Sequence, residues 1–171
     1  MLLAGWIPRP EAVEDFPAHP APLIASVHHG FWEIGAAEVA RRCGEMRALV
    51  RPPRTALDAR AQRVRERYGI RAATLPEILA AGLPAGFMLD RDPEGEPVRV
   101  AGRQMRFSRV PFVVARRTGR PVVPAIVMGR RVWFGPAAQD PAAAAAWFDR
   151  RLRGAVDEWW PVMMDGAARV A

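Results

Sequence analysis

Lysine is absent from this chain, so all 25 basic residues are arginine, set against 18 acidic ones for a net charge of +7. The arginine codons of a GC-rich genome are the simplest source of that bias, since charge by itself says little about fold. A functional consequence still follows. Arginine grips phosphate and carboxylate through two parallel hydrogen bonds, which suits phospholipid headgroups, acidic carrier proteins and nucleic acid alike. Aromatic side chains argue against nucleic acid as the partner. A stacking surface needs them exposed, yet the chain has one tyrosine and no recognisable RNA- or DNA-binding motif, despite a pI of about 11.3.

Cysteine is nearly absent too. Cys43 stands alone, so no internal disulfide can form, which fits a reducing compartment. It lies in a helix-like stretch and reads as a small apolar residue rather than a nucleophile. There is no H-E-x-x-H and no Cys/His cluster, so a zinc hydrolase built on His28, His29 and Asp90 is not supported and no metal is expected. No run approaches the 18 or so apolar residues that span a bilayer. The opening Met1–Ile7 is apolar but stops at Pro8, and it lacks the charged region and cleavage site of a secretory signal. Trp6 in that segment either dips into a membrane interface or covers a core edge.

What is present is the make-up of one globular domain. Half of the 171 residues are hydrophobic and a quarter are charged, enough for a substantial core. Five prolines between 8 and 22 imply an irregular lead-in over 1–22. Leu23–Val27 then reads as a short buried strand, and the spacing of Ile34, Ala37, Val39 and Ala40 predicts a helix over Glu33–Arg42 with Gly44 as its stop. The alternation continues with a strand at Arg47–Val50, a charged helix at Leu57–Tyr68, a strand at Ile70–Ala73 and a short helix at Leu75–Ala81. A buried strand at Gly86–Leu89 breaks at Asp90, and a polar loop is expected over 90–104. A helix at Arg109–Thr118 follows, then the most apolar strand at Pro121–Met128, a turn, and a hairpin partner at Val132–Phe134. The tail from Pro141 to about 160 reads as helix. Strands alternating with helices predict an α/β layer fold, a mostly parallel central sheet flanked by helices. Sites in such sheets lie just beyond the carboxyl ends of strands. His28 and Asp90 both follow strands directly and are candidates for one crevice.

His28 and Glu33 form an H-x-x-x-x-E pair within His28-His29-Gly30-Phe31-Trp32-Glu33. The bare spacing is weak, since chance supplies roughly 0.3 such pairs in a chain of this make-up. Its placement is stronger: a histidine ending a strand, a glycine permitting a tight turn, and an acid opening a helix, which can bring the carboxylate back beneath the imidazole. An imidazole titrates at about pH 6.5 and can accept a hydroxyl proton at neutral pH. A carboxylate on its other nitrogen fixes the tautomer and stabilises the imidazolium, and such a base is worth about 10²–10⁴ in rate. The bland alternative has Glu33 capping its helix and His28 in a structural hydrogen bond. His29 has no acid at this spacing and is assigned to structure or substrate lining.

Val27-His28-His29-Gly30-Phe31-Trp32-Glu33-Ile34-Gly35 resembles the motif of the bacterial lipid A biosynthesis (lauroyl/myristoyl) acyltransferases, members of the lysophospholipid acyltransferase superfamily. Four further blocks follow in the family's order. Leu49-Val50-Arg51-Pro52-Pro53 is similar to its Arg-Pro segment, and Arg65-Glu66-Arg67-Tyr68-Gly69-Ile70 to its R-x-x-x-G-[IV] block. Phe87-Met88-Leu89-Asp90-Arg91-Asp92 is similar to its strand ending in D-Q-D, with Arg91 in place of Gln. Ala115–Pro124 is similar to A-x-x-[TS]-G-x-P-[VI]-[VI]-P. The likeness covers about residues 23–128.

The resemblance implies a single acyltransferase domain over 1–171 with a glycerolipid acyltransferase-like fold. It implies an O-acyltransferase that moves a fatty acyl group from an acyl carrier protein or coenzyme A thioester to a lipid hydroxyl, with no bound cofactor. His28 would be the base and Glu33 its partner, and Asp90 would stand at the position of a second acid. Arg65 would hold an anionic substrate group, with Asp92 as a further substrate contact; Arg51, held extended by the two prolines that follow it, either contacts the phosphates of an acyl donor or faces solvent. The expected setting is peripheral, on an anionic membrane surface at the cytoplasmic side of a bacterial inner membrane. Relatives usually carry an N-terminal membrane helix and a longer lead-in, so a His28 this close to the start reads as a truncated domain or a peripheral relative. Phe31, Trp32, Phe87 and Met88 either line an acyl channel or are plain core. A catalytically inactive lipid-binding relative of the same fold is the alternative.

Overall fold

The computed structural model describes residues 5–50 and 52–153. It is an α/β layer structure around one seven-stranded sheet. In chain order the elements are β1 (Ala12–Glu14), β2 (Leu23–Ser26), α1 (Trp32–Cys43), β3 (Met46–Leu49), α2 (Ala56–Arg67), β4 (Ile70–Ala73), α3 (Leu75–Ala81) and β5 (Ala85–Met88). There follow β6 (Glu96–Val100), β7 (Arg103–Phe107), α4 (Val110–Thr118), β8 (Val122–Met128), β9 (Arg131–Phe134) and α5 (Pro141–Leu152). The sheet order is β1-β9-β8-β2-β5-β3-β4, with every neighbour parallel except the β8–β9 hairpin. The mostly parallel sheet flanked by helices is therefore as expected from the sequence.

The period-2 alternation of strand side chains divides the core into two layers. Leu23, Ala25 and Val27 face a cluster shared with α3, α4 and α5, whereas Ile24 faces a second cluster closed by α1 and α2. β2 and β8 are buried on both sides, which is why they read as unbroken apolar runs. Two helices begin in capping boxes, Thr55 with Asp58 at α2 and Thr74 with Glu77 at α3. Gly82 and Gly119 stop α3 and α4 in the left-handed conformation.

Two segments differ from expectation. The lead-in contains β1, three residues pairing parallel with β9, because the β8–β9 hairpin leaves an open edge beside it. The expected polar loop over 90–104 contains β6 and the start of β7, an antiparallel hairpin outside the main sheet. Val98, Val100, Met105 and Phe107 turn inward against α5, while Pro97, Arg99 and Arg106 face solvent and mask the alternation in the sequence. The C-terminal helix runs to Leu152, and its expected continuation to 160 lies outside the described residues. No helix among the described residues is long and apolar enough to cross a membrane.

Candidate active site

The site is a product of strand register. β2 and β5 are neighbours, with Ser26 opposite Met88. Two residues beyond that pair, both strands have ended and the chain turns, placing His28 and Asp90 side by side above the sheet. Asp90 Oδ1 lies 2.7 Å from His28 Nδ1, and Asp90 Oδ2 accepts the His28 backbone N–H at 2.8 Å. The Asp90 side chain is fully buried, whereas a quarter of the His28 side chain is exposed. One carboxylate thus fixes both the backbone and the ring of the histidine. With Nδ1 donating to Asp90, Nε2 is the nitrogen that can take a proton.

The turn that carries His28 is anchored to β8. His29 N–H donates to Val27 O at 2.7 Å, and the His29 ring is completely buried with Nδ1 3.1 Å from Val127 O. Of the two roles open to His29, the structure gives it the structural one. Gly30 sits at φ 57°, and a Cβ there would lie 2.6 Å from Val127 O, so the backbone passes too close to β8 for any side chain.

Glu33 does not support His28. It is the second residue of α1, and the helix turns its side chain toward α2, where Oε1 accepts from Arg65 Nη2 at 2.8 Å. The expected His28–Glu33 pair is corrected accordingly: Asp90 holds the histidine and Glu33 holds an arginine. The Arg65 guanidinium also stacks 4.9 Å from the Trp32 ring centroid. Its Nε is buried without a hydrogen-bond partner among the described residues. Arg65 is thus fixed by an acid and a ring with a fifth of its side chain still exposed on the cleft, the state of a side chain equipped to take an anion.

His28, Glu33 and Arg65 line one cleft of about 1340 Å³. It opens at the carboxyl edge of the sheet, where exposed Phe31, Pro52 and Arg91 border it. From there it extends down the layer between the sheet and α1, where Ile24, Ala48, Gly86, Ala125 and Gly35 line it, so that the walls are mainly apolar. At Gly86 and Gly35 the missing Cβ lets neighbouring side chains close in on the backbone. A Cβ at Gly86 would fall 2.4 Å from Met46 Cε, and one at Gly35 would lie 3.2 Å from Val127 Cγ2. These small residues were missed in the sequence, although a glycine inside a strand is a known sign of close approach or of space for a ligand.

The remaining candidates divide. Asp92 lines the cleft, but its Oδ1 accepts the Glu94 backbone N–H at 3.1 Å, so it also shapes the turn. Arg51 lies outside the described residues. Phe31, Trp32, Phe87 and Met88 all border the cleft, but Phe87 is 3% exposed and packed in the core, whereas the other three keep part of their surface free. Cys43 is half-buried, and burial pushes its thiol above the ordinary range, which disfavours a nucleophilic thiolate. Among the described residues no group of three or more His, Cys, Asp or Glu side chains is placed to hold a metal.

The chain matches no protein-family model, and no curated protein is significantly similar to it.

Proposed function

We propose that the protein is an O-acyltransferase that moves a fatty acyl group from a thioester, carried by acyl carrier protein or coenzyme A, to a hydroxyl of a lipid acceptor. The observation that carries this reading is the His28–Asp90 pair at the mouth of a large, mainly apolar cleft. A base oriented by a buried acid suits removal of a hydroxyl proton, and the apolar depth suits an alkyl chain. Polar substrates alone would leave that depth unfilled. The sequence resemblance to lipid A biosynthesis acyltransferases, with their glycerolipid acyltransferase-like fold, points the same way.

In this mechanism Nε2 of His28 takes the proton as the acceptor oxygen attacks the thioester carbonyl carbon. Asp90 stabilises the imidazolium so formed. The tetrahedral intermediate collapses with cleavage of the C–S bond, and the imidazolium returns its proton to the departing thiolate. The histidine ends the cycle neutral, with no acyl group attached to the protein. Arg65, neutralised in part by Glu33, offers the exposed part of its guanidinium to a phosphate or carboxylate of either substrate, a role in which a guanidinium outperforms an ammonium. The setting we propose is peripheral, at the cytoplasmic face of a bacterial inner membrane.

The test offers the purified protein both acyl thioesters with a panel of lysolipids, and reads acylated product by mass spectrometry. Product with either donor supports the reading and identifies the acceptor. Lipid binding without product from any pair favours a non-catalytic lipid-binding protein and sinks the enzyme.

A further inference from the structure

Large apolar side chains on the surface are not scattered evenly over this molecule. Phe31, Leu57 and Leu75 are 40%, 56% and 36% exposed, and each stands at the start of a different helix. α1, α2 and α3 follow β2, β3 and β4, three strands of one parallel set, so all three helices begin at the same edge of the sheet. It is the edge onto which the cleft opens, and Phe31 and Leu57 border the cleft itself. Leu75 borders a smaller groove that shares Asp92 and Val110 with it. Exposed Pro52, Pro53 and Pro76 extend the apolar rim without adding a charge.

Trp6, 50% exposed, lies at the other edge, because Arg67 in the last turn of α2 donates to Gly5 O. It stands apart from the rim.

Charge completes the pattern. The segment 54–67, which leads into and forms α2, carries five arginines against two acids. Arg54, Arg60, Arg63 and Arg67 are exposed, whereas Arg65 turns inward to Glu33. The start of α2 thus joins an apolar tip to exposed arginines, the make-up of a surface that docks on anionic lipid.

We infer that the carboxyl edge of the sheet is a membrane-docking face, with Phe31, Leu57 and Leu75 entering the headgroup region and the first two turns of α2, with Arg54, Arg60 and Arg63, set against an anionic bilayer. In that orientation the cleft mouth opens against the lipid, and an alkyl chain can pass from bilayer to cleft without crossing water. The inference rests on the acyl-transfer reading for the lipid nature of what enters the cleft, but its test does not need turnover.

The test is co-sedimentation with vesicles of phosphatidylcholine alone and of phosphatidylcholine with phosphatidylglycerol in equal parts. The unaltered chain should prefer the anionic vesicles, and the preference should fall with salt as surface charge is screened. Leu57→Ser/Leu75→Ser should lose about tenfold or more of the binding, as expected when two apolar side chains no longer enter the interface. Arg60→Glu/Arg63→Glu should abolish the preference for anionic vesicles, and Trp6→Ser should change nothing. Far-UV circular dichroism verifies that each variant is folded. Equal or absent binding to both vesicles overturns the inference, as does a loss with Trp6→Ser that the leucine variants do not show. If Arg60→Glu/Arg63→Glu leaves vesicle binding intact and abolishes binding of purified acyl carrier protein, the face belongs to a protein partner and the inference fails. Turnover of a water-soluble short-chain thioester without vesicle binding would sink the docking face alone. Vesicle binding without turnover would sink the acyltransferase alone.

Discussion

Replacing Asp90 by Asn removes one charge and almost no volume, and it forces a choice on the new side chain. Both carboxylate oxygens of Asp90 accept hydrogen bonds, one from the His28 backbone N–H at 2.8 Å and one from the ring at 2.7 Å. An amide has one acceptor and one donor at those positions. If its oxygen keeps the backbone bond, its NH₂ faces Nδ1, which must then give up its proton, so that Nε2 becomes protonated and unable to act as a base. The expected loss in kcat is about 10²–10⁴, or about 3–5 kcal/mol of barrier. The loss of a buried charge-assisted bond should also cost about 1–3 kcal/mol of stability, short of unfolding. Glu33→Gln is the matched comparison. It touches Arg65 and not His28, so kcat should fall little while KM rises about tenfold or more, as the arginine loses the acid that positions it. Initial rates of acyl transfer, with ¹⁵N NMR of the imidazole, read both variants. The wild-type ring should carry its proton on Nδ1, and the Asp90→Asn ring on Nε2. A Glu33→Gln enzyme crippled in kcat beside an active Asp90→Asn enzyme would refute the assignment of roles.

Three further outcomes follow from the packing. Gly30→Ala, at φ 57° and with its Cβ forced to 2.6 Å from Val127 O, should lose about 1–3 kcal/mol, seen as a fall of several degrees in Tm, and should lower activity as the His28 turn shifts. Arg120 is buried at the amino edge of the sheet, where its guanidinium donates to the carbonyls of Ala21, Ile78 and Leu83, and burial pulls its pKa down. Arg120→Met strands those carbonyls and should cost about 3 kcal/mol or more in urea unfolding. Glu38 is buried against Arg41 and Arg42, and the hydrogen bond from Arg41 first, then the one from Arg42, holds its carboxyl below the usual value despite the opposing cost of burial. A depressed folded-state pKa gives stability that is full above the unfolded value, near 4.5, and lost as pH falls through the lower folded value. Glu38→Gln should therefore flatten the acid limb of the stability–pH curve in that window and leave its neutral limb parallel to wild type.

Much of the fold was legible because its signals are local. Thr74 and Pro76 open α3 and Gly82 closes it through capping and left-handed turn chemistry that involves only nearby residues. The apolar run from 122 to 127 needs burial on both faces wherever it lies. β1 was hidden because three residues among prolines carry no period, and its existence depends on an edge that β9 provides more than a hundred residues later. The hairpin of β6 and β7 was hidden by its solvent face.

The site was half legible for the same reason. That His28 and Asp90 share a crevice follows from parallel strands, whose carboxyl ends lie on one edge. That Asp90 binds His28 while Glu33 binds Arg65 depends on register and helix phase. Ser26 had to stand opposite Met88, and α1 had to present Glu33 toward α2. A five-residue spacing carries neither piece of information. It brings the acid near the histidine in sequence, and the first turn of α1 then points it elsewhere.

The most direct test is a single turnover followed at once on the lipid and on the intact protein. With acyl thioester and lipid acceptor, the wild-type chain should yield acylated acceptor while its own mass stays unchanged throughout, and His28→Ala should yield none. Transfer that survives in His28→Ala, or an acyl adduct on the protein that forms and decays with turnover, would contradict direct attack by a hydroxyl that His28 deprotonates.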